Sequence, residues 1–468
     1  MKHENRSNLA ILLMVGGAIA FNVEAHADER DPVSPTLIPN FQRFPDEHGQ
    51  FASFSFQGGI DTSNPFFQDL GTNGRRCVTC HQPSDGWTVT PEKIRERFVA
   101  THGQDPIFRP NDGAGCPTAD VSTLETRRHA YRLVLDKGLI RVGMKVPDSA
   151  EFTVMHVDNP YGCNGTDEVS VYRRPLPTSN VAYLSTVMWD GRETFKGKSI
   201  VEDLEHQAMD ATLGHAQGAQ APTQEQLQQI VDFELQLFAA QVHDRHAGEL
   251  SHHGAQGGPF ALANTEYYAG INDPLGLNPT GKAFSPQIFT LYSNWLNESR
   301  GEPRGEARAA VARGEELFNT LPITITGVAG LNDVPLQDGK IHPTINGFCG
   351  TCHDSPNIGH HSMPAPLNIG LTDEGRRTAD LPLITMMNKA TGNVVRVSDP
   401  GRAMVTGKWA DIGKFKGPIL RALPTRAPYF HNGSAATLLD AVNFYDTRFD
   451  LHLSDSQKTD LVAFLKTL

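Results

Sequence analysis

Long apolar runs are scarce in this chain, and so are basic clusters, strand-like alternation, cysteine and tryptophan. One apolar run stands out, residues 9–21, and its 13 residues are too few to hold a permanent place across a bilayer. No other run approaches membrane length, so the rest is expected to be soluble. Lysine and arginine total 41 against 53 acidic residues, a formal net charge of −12. An acidic chain without basic clusters argues against nucleic acid as a partner and leaves room for a small basic protein. The absence of alternating strand patterns points away from a strand-rich fold.

The short run has its own context. Lys2 and Arg6 precede it and Ala25-His26-Ala27 follows, the pattern of a signal peptide over residues 1–27 cleaved after Ala27. A buried N-terminal helix is the plainer alternative. The expectation is export to the periplasm.

Six cysteines remain, and four of them fall in two identical frames: "CVTCH" (Cys77, Cys80, His81) and "CGTCH" (Cys349, Cys352, His353). A redox dithiol gives no reason for the histidine. A shared zinc site would join pairs about 270 residues apart, each with its own histidine. Covalent haem accounts for every position: two thiols bond the vinyl groups and the adjacent histidine becomes the proximal iron ligand. The reading is two haem c groups, with His81 and His353 as iron ligands. Cys116 and Cys163 are then left to pair with each other in an oxidising compartment, or to stay as two buried thiols.

The attachment frames divide the chain into an N-terminal haem region (28–245), a connecting loop region (246–299) rich in Gly, Asn and Pro, and a C-terminal haem region (300–468). Helices are expected over 223–242, with Thr223 and Gln226 as a capping box, over 307–319, and over 454–468, with Ser454 and Gln457 as another. His246, His252 and His253 read as solvated loop histidines. The expected fold is mainly α: two cytochrome-c-like haem domains with long loops and little β.

Two further segments carry a family resemblance. "MWDGRETFKGKSIVEDLEHQAM" (188–209) and "FKGPILRALPTRAPYFHNGSAATLLDAVNFYD" (415–446) resemble blocks of the bacterial dihaem cytochrome c peroxidase and MauG family. The resemblance implies a peroxide-reacting haem on His81 and an electron-transfer haem on His353. It implies Trp189 as the bridging tryptophan, Gln207 as the distal-pocket glutamine and His431 as the histidine near the haem interface. It also implies hydrogen peroxide as substrate and a small cytochrome or cupredoxin as electron donor; a homodimer and an interhaem calcium stay open.

The chain departs from that pattern in four places. Fourteen residues after His431 stands Tyr445, where peroxidases place a methionine ligand and the MauG type a tyrosine. Tyr445 is therefore expected as an iron ligand of the second haem. The alternative is a core tyrosine sharing a face with Leu438 and Val442 on a helix capped by Ser434. Past Gln207 the family's glutamate is missing, and His215 is the expected acid–base group, with Asp210 next. Position 97 is Arg97 where some peroxidases carry a sixth-ligand histidine, which favours an open first haem; the nearest histidine is His102. For calcium, Pro428 matches one carbonyl position, but Arg426 and Pro175 replace other expected residues. His360, His361 and Met363 are fallback ligands, with surface or propionate contacts as their expected role. The functional expectation is a peroxidase, with a MauG-like oxidase or a non-catalytic electron carrier as alternatives.

Overall fold

The computed structural model describes residues 37–298, 303–336 and 338–468. The expected signal segment and its cleavage after Ala27 lie outside the described residues. Among the described residues no helix is long and apolar enough to cross a membrane.

The three expected helices form, with one truncated. Pro303–Thr320 and Asp455–Leu465 cross closely at Gly314, where a Cβ would sit 2.0 Å from the Asp460 carbonyl oxygen. Around that crossing Phe289, Phe318, Leu461, Phe464 and Leu468 build the main core of the second half. The Ser454–Gln457 and Thr223–Gln226 capping boxes are both made. The helix after Thr223, however, ends at Leu235 (Gln224–Leu235), and Leu237–Asp244 continues as a strand.

Strand is more plentiful than the expected "little β". Eleven α-helices are accompanied by thirteen strands among the described residues, in five antiparallel sheets. Leu237–Asp244 lies between Gly49–Ser55 and Gly248–Glu249, and Arg43–Pro45 completes that sheet. Phe152–Asp158 from the first half pairs with Leu383–Asn388 from the second, which pairs in turn with Val394–Val397. The sequence does not announce these strands because they are short and often buried on both faces. Glu168–Arg173, for example, is buried at five of its six positions, so it shows no polar–apolar alternation.

The connecting region is not featureless. It contains the short helix Pro259–Ala263 and a 3-10 turn, Ser293–Asn297, that packs Trp295 into the core. His246, His252 and His253 are exposed, as expected of loop histidines. Cys116 and Cys163 form the expected disulfide.

Candidate functional site: two cavities over the C-x-x-C-H frames

Each C-x-x-C-H frame lines a cavity of its own. In the first, Cys77 and Cys80 share one face of the single-turn helix Cys77–Cys80, and His81 follows as its C-cap. His81 Nδ1 lies 3.1 Å from the carbonyl oxygen of Trp87. Donation to that carbonyl fixes the tautomer and leaves Nε2 free to act as a ligand. Burial lowers the His81 pKa to about 4, which keeps the ring neutral. In the second frame His353 Nδ1 makes the same kind of bond to the Gly359 carbonyl, at 2.8 Å.

A second wall of the first cavity is the helix Ile200–Gly214, capped by a Ser199–Glu202 box. Leu204, Gln207, Ala208, Ala211 and Thr212 recur at helical spacing and line the cavity, and His215 follows at the C-cap. Gln207 and His215 are thus brought together with His81. The His215 Nδ1–H donates to Asp112 Oδ2 at 2.5 Å, and Asp112 is also paired with Arg75, two residues before Cys77. Burial works against the Asp112 charge, but the bond from His215 and the Arg75 guanidinium hold its carboxyl below the usual range. Asp210 points elsewhere: it is exposed, with a carboxylate oxygen 3.9 Å from His206, and does not line the cavity. Arg97 pairs with Asp105 at 2.5 Å and donates to the Thr79 carbonyl at 2.8 Å, bracing the attachment helix. His102 is exposed and does not line the cavity.

The second cavity takes in Cys349, Cys352, His353, Trp189, His431 and Tyr445. Tyr445 rides on the helix Leu438–Phe449, whose cap is Thr437 in a box with Asp440, not Ser434 as expected. Leu438, Val442 and Tyr445 do share a face, and that face lines the cavity. Burial beside the Cys352 and Cys349 thiols raises the Tyr445 pKa. Among the described residues no methionine lines this cavity. His431 is 1% exposed, stacks on Phe415 at 3.9 Å and stands 6.1 Å from the Trp189 ring. Its Nε2 has no hydrogen-bond partner, and burial lowers its pKa to about 4.

Between the cavities runs a thin wall. Met188 lines the first and Trp189 the second, while Lys416 lines both. The backbone N–H of Lys416 donates to the Trp189 carbonyl and its Nζ donates to the Thr186 carbonyl, both at 2.8 Å. Burial drops its ammonium pKa to about 7. The turn of the W-D-G-R block needs glycine: Gly191 has φ +71°, and a Cβ there would lie 2.5 Å from the Arg402 guanidinium. Asp190 is locked to Arg173, which also grips Asp399 with two bonds of 2.8 and 2.9 Å.

Sequence reading missed Asp112, Arg75 and Lys416. Asp112 lies 103 residues from the histidine it holds, with no local motif to reveal it. Lys416 stands inside a recognised block, in "FKGP", but nothing in a lysine's neighbours announces burial. His360 and His361 are 2% and 4% exposed, so of the expected surface or propionate contacts the surface ones do not hold for them.

The donor set fits haem c. The four frame cysteines are not joined in disulfides although Cys116 and Cys163 are. Burial pushes the Cys77, Cys349 and Cys352 thiols up to about 12, the opposite of an acidic redox dithiol. Both cavities are lined mostly by apolar side chains. In the first, the half-buried Arg426 has Nε and one terminal nitrogen buried without partners, donors suited to a haem carboxylate. The class defined by these features is a c-type haem protein.

No protein-family model matches the chain. It is 33% identical to the cytochrome-c peroxidase IdrP2 of Denitromonas iodatirespirans over 147 residues, 28% of this chain and 39% of that one. It is 44% identical to the cytochrome c551 peroxidase of Nitrosomonas europaea over 69 residues, 14% of this chain and 21% of the relative. The chain thus spans less than half the length of either relative. A solved MauG-like protein associated with microbial copper homeostasis aligns over 65% of this chain and 75% of its own, at 19% identity. Its TM-score of 0.30 is too low to carry an argument. On the sequence matches, the chain is related to the cytochrome-c peroxidases.

Proposed function

We propose that this chain is a periplasmic dihaem c-type peroxidase, reducing hydrogen peroxide to water with electrons from a small cytochrome or cupredoxin. The observation that carries the reading is His215, held by Asp112 and set beside Gln207 in the cavity of His81. A plain electron carrier needs no such polar group.

In this reading the region 28–245 holds one haem through Cys77, Cys80 and His81. The region 300–468 holds the other through Cys349, Cys352, His353 and Tyr445. Haem iron, when bound, supplies one-electron redox steps and a Lewis-acidic site for peroxide. The chain's own residues handle orientation and protons. Peroxide takes up two electrons and two protons and leaves as two waters. Gln207 offers an amide to hold the peroxide, and His215 moves a proton from its inner to its outer oxygen. Because Asp112 accepts the Nδ1 proton, Nε2 is the nitrogen that exchanges. Trp189 bridges the cavities for electrons arriving from the donor, and His431 stands beside it. His81 and His215 are the histidines lining the first cavity among the described residues, which supports a site open to peroxide. Calcium has no part in the reading: Arg426, a half-buried cation, stands where the family's site expects another residue.

A second reading rests on Tyr445. A hard phenolate favours ferric iron and lowers the reduction potential, whereas a thioether raises it. That suits an oxidase of a protein or organic substrate better than a high-potential electron inlet.

One experiment separates the readings. The holoprotein is reduced stepwise, mixed with peroxide, and its haem spectra followed with and without a reduced small cytochrome. Turnover of the donor supports the peroxidase. A lasting spectral change with no donor oxidation overturns it in favour of the oxidase, and no response at all leaves only a carrier.

A further inference from the structure

Behind the second attachment frame lies a group of buried polar side chains that the proposed chemistry does not use. The segment after His353 folds against the loop 266–285. Asn272 donates to the carbonyls of Asp354 and Ser285, and the Gly270 N–H donates to the Ser362 carbonyl. At this junction Asp273, Asp354 and His361 meet, 1%, 0% and 4% exposed, each offering one ligand atom within 4.8 Å of the others. Neither aspartate lines the second cavity, although His361 does.

The carboxylates are only half satisfied. Asp273 Oδ2 accepts from the Leu277 N–H at 2.8 Å, and Asp354 Oδ1 from the Ser362 N–H at 2.6 Å. Asp273 Oδ1 and Asp354 Oδ2 have no partner. Asp354 Oδ2 lies 3.7 Å from His361 Nδ1, which accepts a long 3.2 Å bond from the Met363 N–H. Two buried carboxyl groups with an orphaned oxygen each are costly to leave bare, and a buried imidazole offers them no salt bridge unless it is protonated.

We propose that Asp273, Asp354 and His361 bind a divalent cation of the zinc class, separate from the haem irons. Two carboxylate oxygens and an imidazole nitrogen make a zinc-like donor set, whereas calcium takes six to eight oxygens. The cation neutralises both aspartates and takes the His361 lone pair that Met363 now holds loosely. It clips the 266–285 loop to the chain immediately after His353.

The test is the metal content of purified holoprotein after incubation with ZnCl2 and dialysis, measured beside covalent haem. The expected result is one equivalent of zinc per chain, lost in Asp273→Asn while haem per chain is unchanged. Zinc absent from the wild type, or held equally by the variant, overturns the proposal. Should the variant fail to fold, calorimetric titration of chelator-treated wild type with ZnCl2 decides. One-to-one binding with a raised melting temperature supports the site. No binding means the aspartates share a proton instead, and the site falls.

Discussion

A histidine in an apolar cavity does directed proton work only when something fixes which nitrogen carries the proton. Asp112 does this for His215, and Arg75 keeps Asp112 charged by pairing with it inside the wall. His215→Ala is expected to lower the peroxide turnover rate by about 10²–10⁴-fold, the usual span of a lost acid–base group. Haem content should be unchanged, and added imidazole should restore part of the rate; steady-state kinetics with a reduced cytochrome donor checks this. At the other cavity, Tyr445→Phe keeps the ring that packs beside Leu438 and Val442 and removes only the hydroxyl. If Tyr445 is a ligand, the absorption and magnetic resonance spectra of the second haem shift while those of the first stay put. An unchanged spectrum would leave Tyr445 as a core residue.

Helix Leu438–Phe449 delivers Tyr445, and its start rests on the reciprocal bonds of Thr437 and Asp440. Thr437→Ala should lower stability by about 1 kcal/mol, the typical worth of a cap. Ser434→Ala, three residues before the cap, should fall within about 0.5 kcal/mol of wild type. Urea midpoints of the two variants test the assignment. The same contrast explains what could be read in advance. The Thr223 and Ser454 caps were legible because a capping box is complete within four residues. The strand Leu237–Asp244 was not, because the partners that turn it from helix to strand, Phe51 to Ser55, lie nearly 190 residues upstream. The site divides the same way. Cysteine, cysteine and histidine adjoin in the chain and announce haem, and the "WDGR" block carried Trp189 and Gln207. Asp112 is joined to His215 only by the fold, as Asp273 is to Asp354.

At the scale of the whole molecule, two devices tie distant parts of the chain together. The Cys116–Cys163 bridge closes a separation of 47 residues. Replacing both cysteines by alanine should cost about 4 kcal/mol, since the open chain regains that loop's freedom. The second device is the buried Arg173, which joins its strand to Asp190 of the "WDGR" turn and to Asp399 beside His431. Burial alone would raise the Asp190 pKa, but the guanidinium groups of Arg173 and Arg192 outweigh it and hold the carboxyl at about 2. A carboxyl depressed by folding adds stability above its unfolded pKa, near 3.9, and loses it as pH falls through the folded value. Unfolding free energy should therefore decline between about pH 4 and pH 2 as this link protonates. Asp190→Asn should flatten that part of the profile and lower stability at neutral pH, because Arg173 then keeps only one of its two anions. Arg173→Met should do more damage, about 3–5 kcal/mol, by stripping Asp399 of its guanidinium partner and leaving Asp190 with Arg192 alone. Denaturant midpoints measured at stepped pH distinguish these outcomes. If the two variants instead lose equal stability with unaltered pH profiles, Arg173 is acting by packing against Phe415 rather than by charge.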